Sequence, residues 1–331
     1  MSTNKDGSTK QPLARERTLS SPRHRRLGRT DLQVFPIGFG ASPLGDVFGT
    51  TDAGEGKRAV HAAIDSGINF FDVAPYYGRT LAEKRLGEAL AGRRHQVLVA
   101  TKCGRYGQTE FDFSARRVTA GVDESLKRLQ TDYVDLLQVH DVEFGDAQQI
   151  IDETLPALRL LQEQGKARYI GITGYGLKLL VRIAKATPVD TVLSYCRYNL
   201  MNRDMDEILT PFASERQLGL INASPLNMGV LTAEGAPAWH PAPPQVLEAG
   251  RKAAQLCRSR GADISALALR FCLDHPYVST TLVGMSTVRE VEANLAVMQG
   301  KIDSELLAEV EALLAPVFGS TWPSGKEENR D

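Results

Sequence analysis

The chain has 331 residues, 42% of them hydrophobic, which is enough for one large α/β domain with a sizeable core. A formal net charge of −1 gives no reason to expect nucleic-acid binding, and no apolar run reaches the about 20 residues that a membrane span needs. The four cysteines are scattered without the spacing of metal ligands, and no secretory signal is visible. We therefore expect reduced thiols in a cytoplasmic protein.

The first 25 residues differ from the rest because they are polar, basic and poor in apolar side chains. Such a segment cannot bury enough surface to fold, so residues 1–25 are predicted to be a disordered tail. A transit peptide is the alternative, although no amphipathic stripe is seen. Residues 26–325 are expected to form one barrel domain, described next, and residues 326–331 a polar C-terminal end.

Short apolar runs rich in β-branched residues alternate with longer segments of helical periodicity. Eight runs begin at Val34, Ile68, Gln96, Tyr133, Ala167, Thr191, Leu218 and Ser279. Among the helical segments, one opens after Ser114, a typical N-cap residue, and another ends at Gly165, a typical C-cap residue.

Strands that alternate with helices are parallel and joined by crossovers, and these runs are apolar on both faces, as parallel strands require. Eight such units in about 300 residues predict a closed (β/α)8 TIM barrel. The alternative is a doubly wound open sheet, which usually has a glycine-rich phosphate loop after its first strand. Here the stretch GFGASPLG contains Gly38, Gly40 and Gly45, which do not match the G-x-G-x-x-G spacing.

Ionisable residues stand where three consecutive runs end. The second run ends at Asp72, the third reaches Lys102 and the fourth ends at His140, while Tyr77 follows Asp72 in the next loop. In a barrel the carboxyl ends of the strands form one rim, which carries the active site. Each residue alone has an ordinary structural explanation, but together on one rim they indicate a catalytic site.

The residue types suggest proton transfer. A phenol has an ordinary pKa near about 10, and a nearby ammonium stabilises the phenolate and lowers that pKa. A carboxylate holds the ammonium in place, and a neutral imidazole orients a carbonyl or hydroxyl oxygen. Such a site serves a carbonyl/alcohol pair. The accompanying hydride transfer requires a cofactor, because no side chain carries hydride.

The pattern Asp-x4-Tyr-Gly, followed by a lysine and a histidine at the next two strand ends, resembles the catalytic tetrad of the aldo-keto reductase family. The resemblance implies a TIM barrel, a nicotinamide cofactor bound in an extended conformation, and Tyr77 as general acid/base. The stretches NFFDVAPYYG, VATKCGRY and DYVDLLQVHDVEFG are similar to members that oxidise C1 of an aldose with NAD to a lactone. This implies L-galactose as the substrate, with L-fucose and D-arabinose as stereochemical relatives.

The resemblance also implies a set of cofactor contacts. The family usually has Ser-Asn where this chain has Thr173 and Gly174, so the clamp on the nicotinamide carboxamide would be weaker or supplied differently. Ser194 stands where a polar residue usually reaches the carboxamide. The complete implied set is Gly40, Ala41, Asp72, Thr173, Ser194, Ser224, Leu226, Gly229, Gly284, Met285, Ser286, Glu290 and Asn294.

NAD is the expected cofactor, with NADP as the alternative. Met285 and Glu290 stand where NADP-preferring members of the family often have basic residues, and a carboxylate there would repel a 2′-phosphate. Arg289 lies one residue away and keeps NADP open. The backbone amides that open the last helix of this region suit a phosphate group.

The expected partner is a small aldose. Tyr77 and His140 would contact it, together with the aromatic residues Phe48, Tyr76 and Trp239; His240 and Trp322 are further candidates. A core or lid role for these aromatics is an equally open interpretation. The assembly is expected to be a monomer or a weak homo-oligomer.

Three other functions stay open. An NADP-dependent aldehyde or pyridoxal-type reductase would use the same proton relay. A nicotinamide-binding regulatory subunit would keep the fold and turn over slowly, although no docking segment is visible. A metal-dependent barrel enzyme is disfavoured because the histidines show no ligand spacing, and no metal is expected.

Overall fold

Eight parallel strands close into a barrel in the computed structural model, which describes residues 24–331. The strands in chain order are β1 Arg25–Arg26, β2 Gln33–Val34, β3 Ile37–Gly40, β4 Phe70–Asp72, β5 Leu98–Cys103, β6 Val134–Val139, β7 Ala167–Gly174, β8 Thr191–Tyr195, β9 Gly219–Ala223 and β10 Thr280–Gly284. The barrel order is β10-β3-β4-β5-β6-β7-β8-β9. The predicted barrel is confirmed, and the open sheet is wrong.

Helices surround the barrel. They are α1 Ala53–Asp65, α2 Leu81–Leu90, α3 Ala115–Leu129, α4 Ala147–Gln149, α5 Leu155–Glu163, α6 Leu177–Ala186, α7 Asp204–Arg216, α8 Pro244–Ser259, α9 Ile264–Leu273, α10 Val288–Val297 and α11 Ser304–Leu314. Ser114 caps α3 by accepting a hydrogen bond from the Arg117 amide, as predicted. Gly165 follows α5 with a φ of 76°, which suits glycine at a helix C-terminus.

Alternate side chains on each strand face different layers, because successive strand residues point to opposite faces. On β8, Leu193 packs in the barrel interior with Phe70, Leu136 and other residues of the neighbouring strands. Val192 packs instead in the larger cluster between the strands and the helices. This alternation decides which strand residues can reach the mouth of the barrel.

A short antiparallel hairpin closes the end of the barrel where the strands begin. Strand β1 pairs with β2, and Leu27, Leu32 and Val34 are buried against Phe70 inside the barrel. Arg25, which was assigned to the disordered tail, pairs with Val34 and so belongs to the fold. Residues 1–23 of that predicted tail lie outside the described residues.

The C-terminal residues pack on the opposite, open end. Asn329 is buried and donates hydrogen bonds to the carbonyl oxygens of Glu143 and Gly145, at 3.0 and 2.8 Å. The Asp331 carboxylate accepts from the first amide of α6, at Leu177, over 2.8 Å. The polar C-terminal end is therefore tied to the loops around the barrel mouth.

The sequence predicts that the chain has no membrane span and that its cysteines are reduced. None of the helices within residues 24–331 is both long and apolar enough to span a membrane. The four cysteines, Cys103, Cys196, Cys257 and Cys272, are buried and free of disulfides.

Candidate active site

The loop after β4 is fixed by a close backbone contact. Tyr77 follows Asp72 through a tight turn in which the Tyr77 amide donates to the Ala74 carbonyl at 3.1 Å. The next residue, Gly78, has a φ of 63°, and a Cβ there would lie 2.2 Å from the Gly45 carbonyl oxygen. Only glycine fits this position. The contact between the two loops therefore sets where the Tyr77 ring stands.

Asp72, Lys102 and Tyr77 meet in the mouth of the barrel, as the sequence predicted. The Lys102 ammonium is buried and forms an ion pair with the Asp72 carboxylate. It also donates to the Val73 carbonyl at 3.0 Å and to the Tyr77 hydroxyl at 3.2 Å. Asp72 pairs with Ala100 on the neighbouring parallel strand, and Lys102, two residues further along β5, points to the same face of the strand as Ala100.

Gln138 is a site residue that the sequence interpretation missed. It is buried on β6 beside Lys102, and its side-chain amide donates to the second oxygen of Asp72 at 3.1 Å. Both carboxylate oxygens of Asp72 are thus held, one by Lys102 and one by Gln138. The available signal was the spacing, since Gln138 precedes His140 by two residues and therefore faces the same side.

His140 completes the tetrad directly after β6. Its ring stands edge-on to Tyr77 with centroids 5.7 Å apart, and its Nδ1 is buried without a partner among the described residues. Burial lowers the pKa of His140 to about 3, so the imidazole is neutral at physiological pH. A neutral imidazole offers one N–H to an oxygen of a bound molecule.

The pKa of the phenol departs from the sequence expectation. Burial raises the pKa of Tyr77 to about 12, although Lys102 acts in the opposite direction. The expected net lowering is therefore wrong, because removing the phenolate from water outweighs the nearby ammonium. Burial also opposes the ammonium of Lys102, but Asp72 and Tyr77 hold the pKa of Lys102 above its ordinary value. The lysine consequently stays charged and Tyr77 keeps its proton at neutral pH.

A second pair of charges adjoins the tetrad and was also missed. Arg105, after β5, forms an ion pair with the buried carboxylate of Asp141, after β6. Asp141 Oδ2 lies 3.6 Å from His140 Nε2. The Arg105 guanidinium stacks over the Tyr76 ring at 3.7 Å from its centroid. Because Asp141 directly follows His140, its position near the site could have been predicted from the sequence. Its pairing with Arg105 could not.

The residues proposed for the cofactor lie partly around the same mouth. Gly40 pairs with Asp72 on one side and with Gly284 on the other, so two residues without side chains lie in a row on the same side of Asp72. Ala41 is buried and its amide donates to the Asp72 carbonyl at 2.8 Å. Thr173 is buried on β7, and its hydroxyl accepts from the Asp141 amide at 3.1 Å.

Two of the proposed cofactor side chains do not face the mouth. Ser194 lies on the same face of β8 as Val192, toward the surrounding helices, and its hydroxyl is buried without a partner in the described chain. Met285 is buried in the apolar cluster between strands and helices. The assignments of these two side chains are therefore corrected: strand alternation turns Ser194 outward, and packing retains Met285 in the core.

Two carboxylates occupy the N-terminus of α10. Glu290 accepts from the amides of Ser286 and Thr287 at 2.7 and 2.9 Å, within a capping box. Glu55, on α1, accepts from the Val288 amide at 3.0 Å. The sequence suggested that the backbone amides at the start of α10 bind a phosphate. These amides are instead hydrogen-bonded to the Glu290 and Glu55 carboxylates, and Glu290 is part of the helix cap.

The loop after β9 has an unusual backbone. Ser224, Asn227 and Met228 have positive φ values of 56°, 49° and 51°, and Gly229 follows at 100°. Leu226, in the same loop, packs against the adjoining apolar cluster. Asn294 is partly exposed on α10. The cofactor contacts proposed for Ser224, Leu226, Gly229 and Asn294 therefore remain predictions.

The aromatic residues proposed for the substrate fall into three groups. Tyr76 lies beside the tetrad, with its ring centroid 6.0 Å from that of His140. Phe48 and Trp239 are 47% and 50% exposed and contact each other across two loops, with centroids 5.5 Å apart. His240 and Trp322 are buried against each other. The structure thus brings Tyr76 to the tetrad and pairs Phe48 with Trp239.

Residues 24–331 contain no group of three or more histidine, cysteine or acidic side chains arranged to hold a metal ion. The arrangement that is present consists of a buried ammonium, a phenol and a neutral imidazole at the mouth of the barrel. Such a set can donate or accept one proton at an oxygen atom that the imidazole orients.

Comparisons with known proteins agree with this geometry. A family model described as "Aldo/keto reductase family" matches residues 36–315. The chain is 48% identical over 315 residues to L-galactose dehydrogenase of Arabidopsis thaliana, covering 92% of this chain and 98% of the relative. It is 31% identical over 280 residues to D-arabinose 1-dehydrogenase of Saccharomyces cerevisiae, covering 79% and 82% of the two chains.

Among solved structures, an aldo-keto reductase from Bacillus halodurans in its holo form superposes with a TM-score of 0.76. The sequences are 27% identical, and the match covers 94% of this chain and 100% of the other. The similarity in sequence and in structure therefore spans the whole barrel.

Proposed function

Because this chain belongs to the aldo/keto reductase family, we propose that it oxidises C1 of an aldose to a lactone with NAD, and that L-galactose is the preferred sugar. The observation that carries the proposal is the complete tetrad within a chain 48% identical to an L-galactose dehydrogenase. The similarity to a D-arabinose 1-dehydrogenase supports D-arabinose, and with it L-fucose, as additional substrates.

The proposed mechanism assigns one task to each residue of the tetrad. His140, as a neutral imidazole, donates to the C1 oxygen and orients it toward Tyr77. The phenolate form of Tyr77, which is a small fraction at neutral pH because its pKa is about 12, takes the proton of the C1 hydroxyl, and Lys102 stabilises this form. Asp72, held by Gln138, keeps the ammonium in place. A bound nicotinamide cofactor would supply the hydride acceptor for this reaction.

The residues at the mouth fit a nicotinamide cofactor. Gly40 and Gly284 leave the rim next to Asp72 without side chains, and the buried Nδ1 of His140 has no partner among the described residues. In TIM barrels phosphate groups commonly bind the loops after the seventh and eighth strands, which here are β9 and β10. Gly229, in the loop after β9, would hold the cofactor there.

The preference for NAD is supported by the N-terminus of α10, which follows β10. Glu290 and Glu55 place two carboxylates on the three amides that open this helix. A 2′-phosphate at this point would meet like charge and find no free amide. NAD, which lacks that phosphate, avoids both costs.

We expect Glu290→Gln to weaken the discrimination against NADP by about tenfold, equivalent to about 1.4 kcal/mol, because it removes one of the two charges. Combining it with Glu55→Gln should increase the effect. The measurement is the ratio of kcat/KM for NADP to that for NAD with one sugar. Glu292→Gln is the matched control, since Glu292 is exposed on the same helix away from the amides. If Glu292→Gln shifts the ratio equally, local blocking of the amides is the wrong explanation.

The proposed reaction is tested by initial rates of nicotinamide reduction. L-galactose, L-fucose, D-arabinose and D-glucose are supplied in turn, each with NAD and with NADP. We expect rapid NAD reduction with L-galactose and slower reduction with L-fucose and D-arabinose. D-glucose, whose hydroxyl configuration differs, should react least.

Two other outcomes would replace the proposal. Consumption of NADPH by simple aldehydes, without oxidation of any sugar, would assign the chain to the aldehyde or pyridoxal-type reductases. Nicotinamide binding without turnover in either direction would indicate a regulatory subunit.

A further inference from the structure

The pair formed by Arg105 and Asp141 has no task in the proton relay. Its two residues follow β5 and β6, the strands that carry Lys102 and precede His140. Asp141 Oδ2 nevertheless lies only 3.6 Å from His140 Nε2. A charged pair at this distance borders the space in which the reacting oxygen must lie.

The pair is held rigidly. The Arg105 side chain is 13% exposed, and its guanidinium lies 3.7 Å from the ring centroid of Tyr76, 5.3 Å from that of Phe111 and 5.1 Å from that of Phe144. Its Nε is buried without a partner in the described part of the chain. The guanidinium thus has an unused donor and little freedom to turn away from the site.

Asp141 is held equally firmly. Its backbone has a φ of 50°, in the left-handed region, and its amide donates to the Thr173 hydroxyl at 3.1 Å. Burial opposes ionisation, but the Arg105 guanidinium beside it keeps the pKa of Asp141 below its ordinary value, so the carboxylate is charged. A buried, ionised carboxylate is a strong acceptor for hydroxyl donors.

The position of the pair separates it from the cofactor side of the barrel. Phosphate groups are expected at β9 and β10, whereas the pair follows β5 and β6, which lie opposite β9 and β10 in the closed barrel. The pair therefore faces the part of the mouth left to the second reactant. A buried ion pair brings little net stability, so its stabilising role alone does not account for it.

We propose that Arg105 and Asp141 form a polyol-binding subsite, which hydrogen-bonds hydroxyl groups adjacent to the reacting carbon and selects hydroxylated substrates over simple aldehydes. A carboxylate acceptor next to a guanidinium donor matches two neighbouring hydroxyls, each of which can donate and accept. The inference deepens the proposed function, because an aldose is the hydroxylated substrate that the proposal names.

The test compares two three-carbon aldehydes in the reductive direction. Glyceraldehyde has hydroxyls beside its carbonyl and propanal has none, so the ratio of their kcat/KM values isolates hydroxyl recognition. We expect Asp141→Asn to lower this ratio by about tenfold, which corresponds to about 1.4 kcal/mol. The change should appear mainly in KM for glyceraldehyde. A purely structural role would lower both rates together and leave the ratio constant, which would overturn the inference.

Arg105→Lys is the second variant, and it serves alone if Asp141→Asn does not fold. It keeps the charge but loses the planar fork of the guanidinium, so it should also lower the ratio. Glu124→Gln is the matched control. Glu124 forms an ion pair at 3.3 Å with Arg117, which stacks on the Tyr106 ring. The substitution therefore breaks an arginine–carboxylate pair of the same kind as Arg105–Asp141, but on α3. This control should leave the ratio at the wild-type value.

The outcomes separate this inference from the proposed function. If the wild-type protein oxidises L-galactose but the ratio is unchanged in both variants, the subsite is wrong and the function stands. If no aldose is oxidised but the preference for glyceraldehyde depends on Asp141, the function is wrong and the subsite stands. A wild-type protein that does not prefer glyceraldehyde to propanal, or reduces neither, would also overturn the subsite.

Discussion

Tyr77→Phe is expected to lower kcat/KM for aldose oxidation by about 10²–10⁴-fold, the range typical for loss of a general acid/base. The substitution removes one oxygen atom, the hydroxyl that receives the 3.2 Å hydrogen bond from Lys102. The ring and its edge-on contact with His140 remain. Initial rates with L-galactose and NAD measure the loss, and a fluorescence titration should show that NAD still binds.

Tyr106→Phe is the matched control for this experiment. Burial raises the pKa of Tyr106 as well, but its hydroxyl donates to the Arg117 carbonyl at 3.4 Å and not to a residue of the tetrad. Removing that hydroxyl should leave turnover close to wild type. If the two variants lost activity to the same extent, the chemistry could not be assigned to Tyr77.

Lys102→Met is expected to abolish turnover and also to destabilise the fold. The substitution leaves Asp72 buried and without its ion pair, a change that typically costs about 3–5 kcal/mol. It also removes the cation that stabilises the Tyr77 phenolate. Urea denaturation measures the free energy of unfolding, and initial rates measure the loss of turnover.

The double variant Lys102→Met/Asp72→Asn separates the two effects. A neutral amide no longer needs the ammonium, and its carbonyl oxygen can still accept from Gln138, so much of the lost stability should return. Turnover should not return, since Tyr77 still lacks its cation. Recovery of both quantities together would show that Lys102 acts only through folding, and would contradict its role in the relay.

The barrel and the tetrad were predictable from the sequence for one physical reason. Apolar runs that end in Asp72, Lys102 and His140 mark strand ends, and the ends of parallel strands in a closed barrel share one rim. Local pattern therefore carried information about distant contacts. Gln138 and Asp141 were within reach of the same reasoning, because they flank His140 on β6 and directly after it.

Other features of the site depend on packing that no local pattern encodes. Glu55 reaches the Val288 amide across 233 positions of the chain, and Arg105 reaches Asp141 across 36. Which side of β8 the Ser194 side chain lies on depends on the residue at which that strand begins, and the sequence does not specify that residue. The raised pKa of Tyr77 depended on how far the phenol is removed from water, which only the packed structure defines.

The hairpin of β1 and β2 has a consequence for how this protein can evolve. Leu27, Leu32 and Val34 fill one end of the barrel, while the tetrad and the loops around it stand at the other. Mutations at the filled end alter how much folded protein a cell contains, whereas mutations in the mouth loops alter which molecules are accepted. Selection can thus adjust abundance and specificity through separate sets of positions.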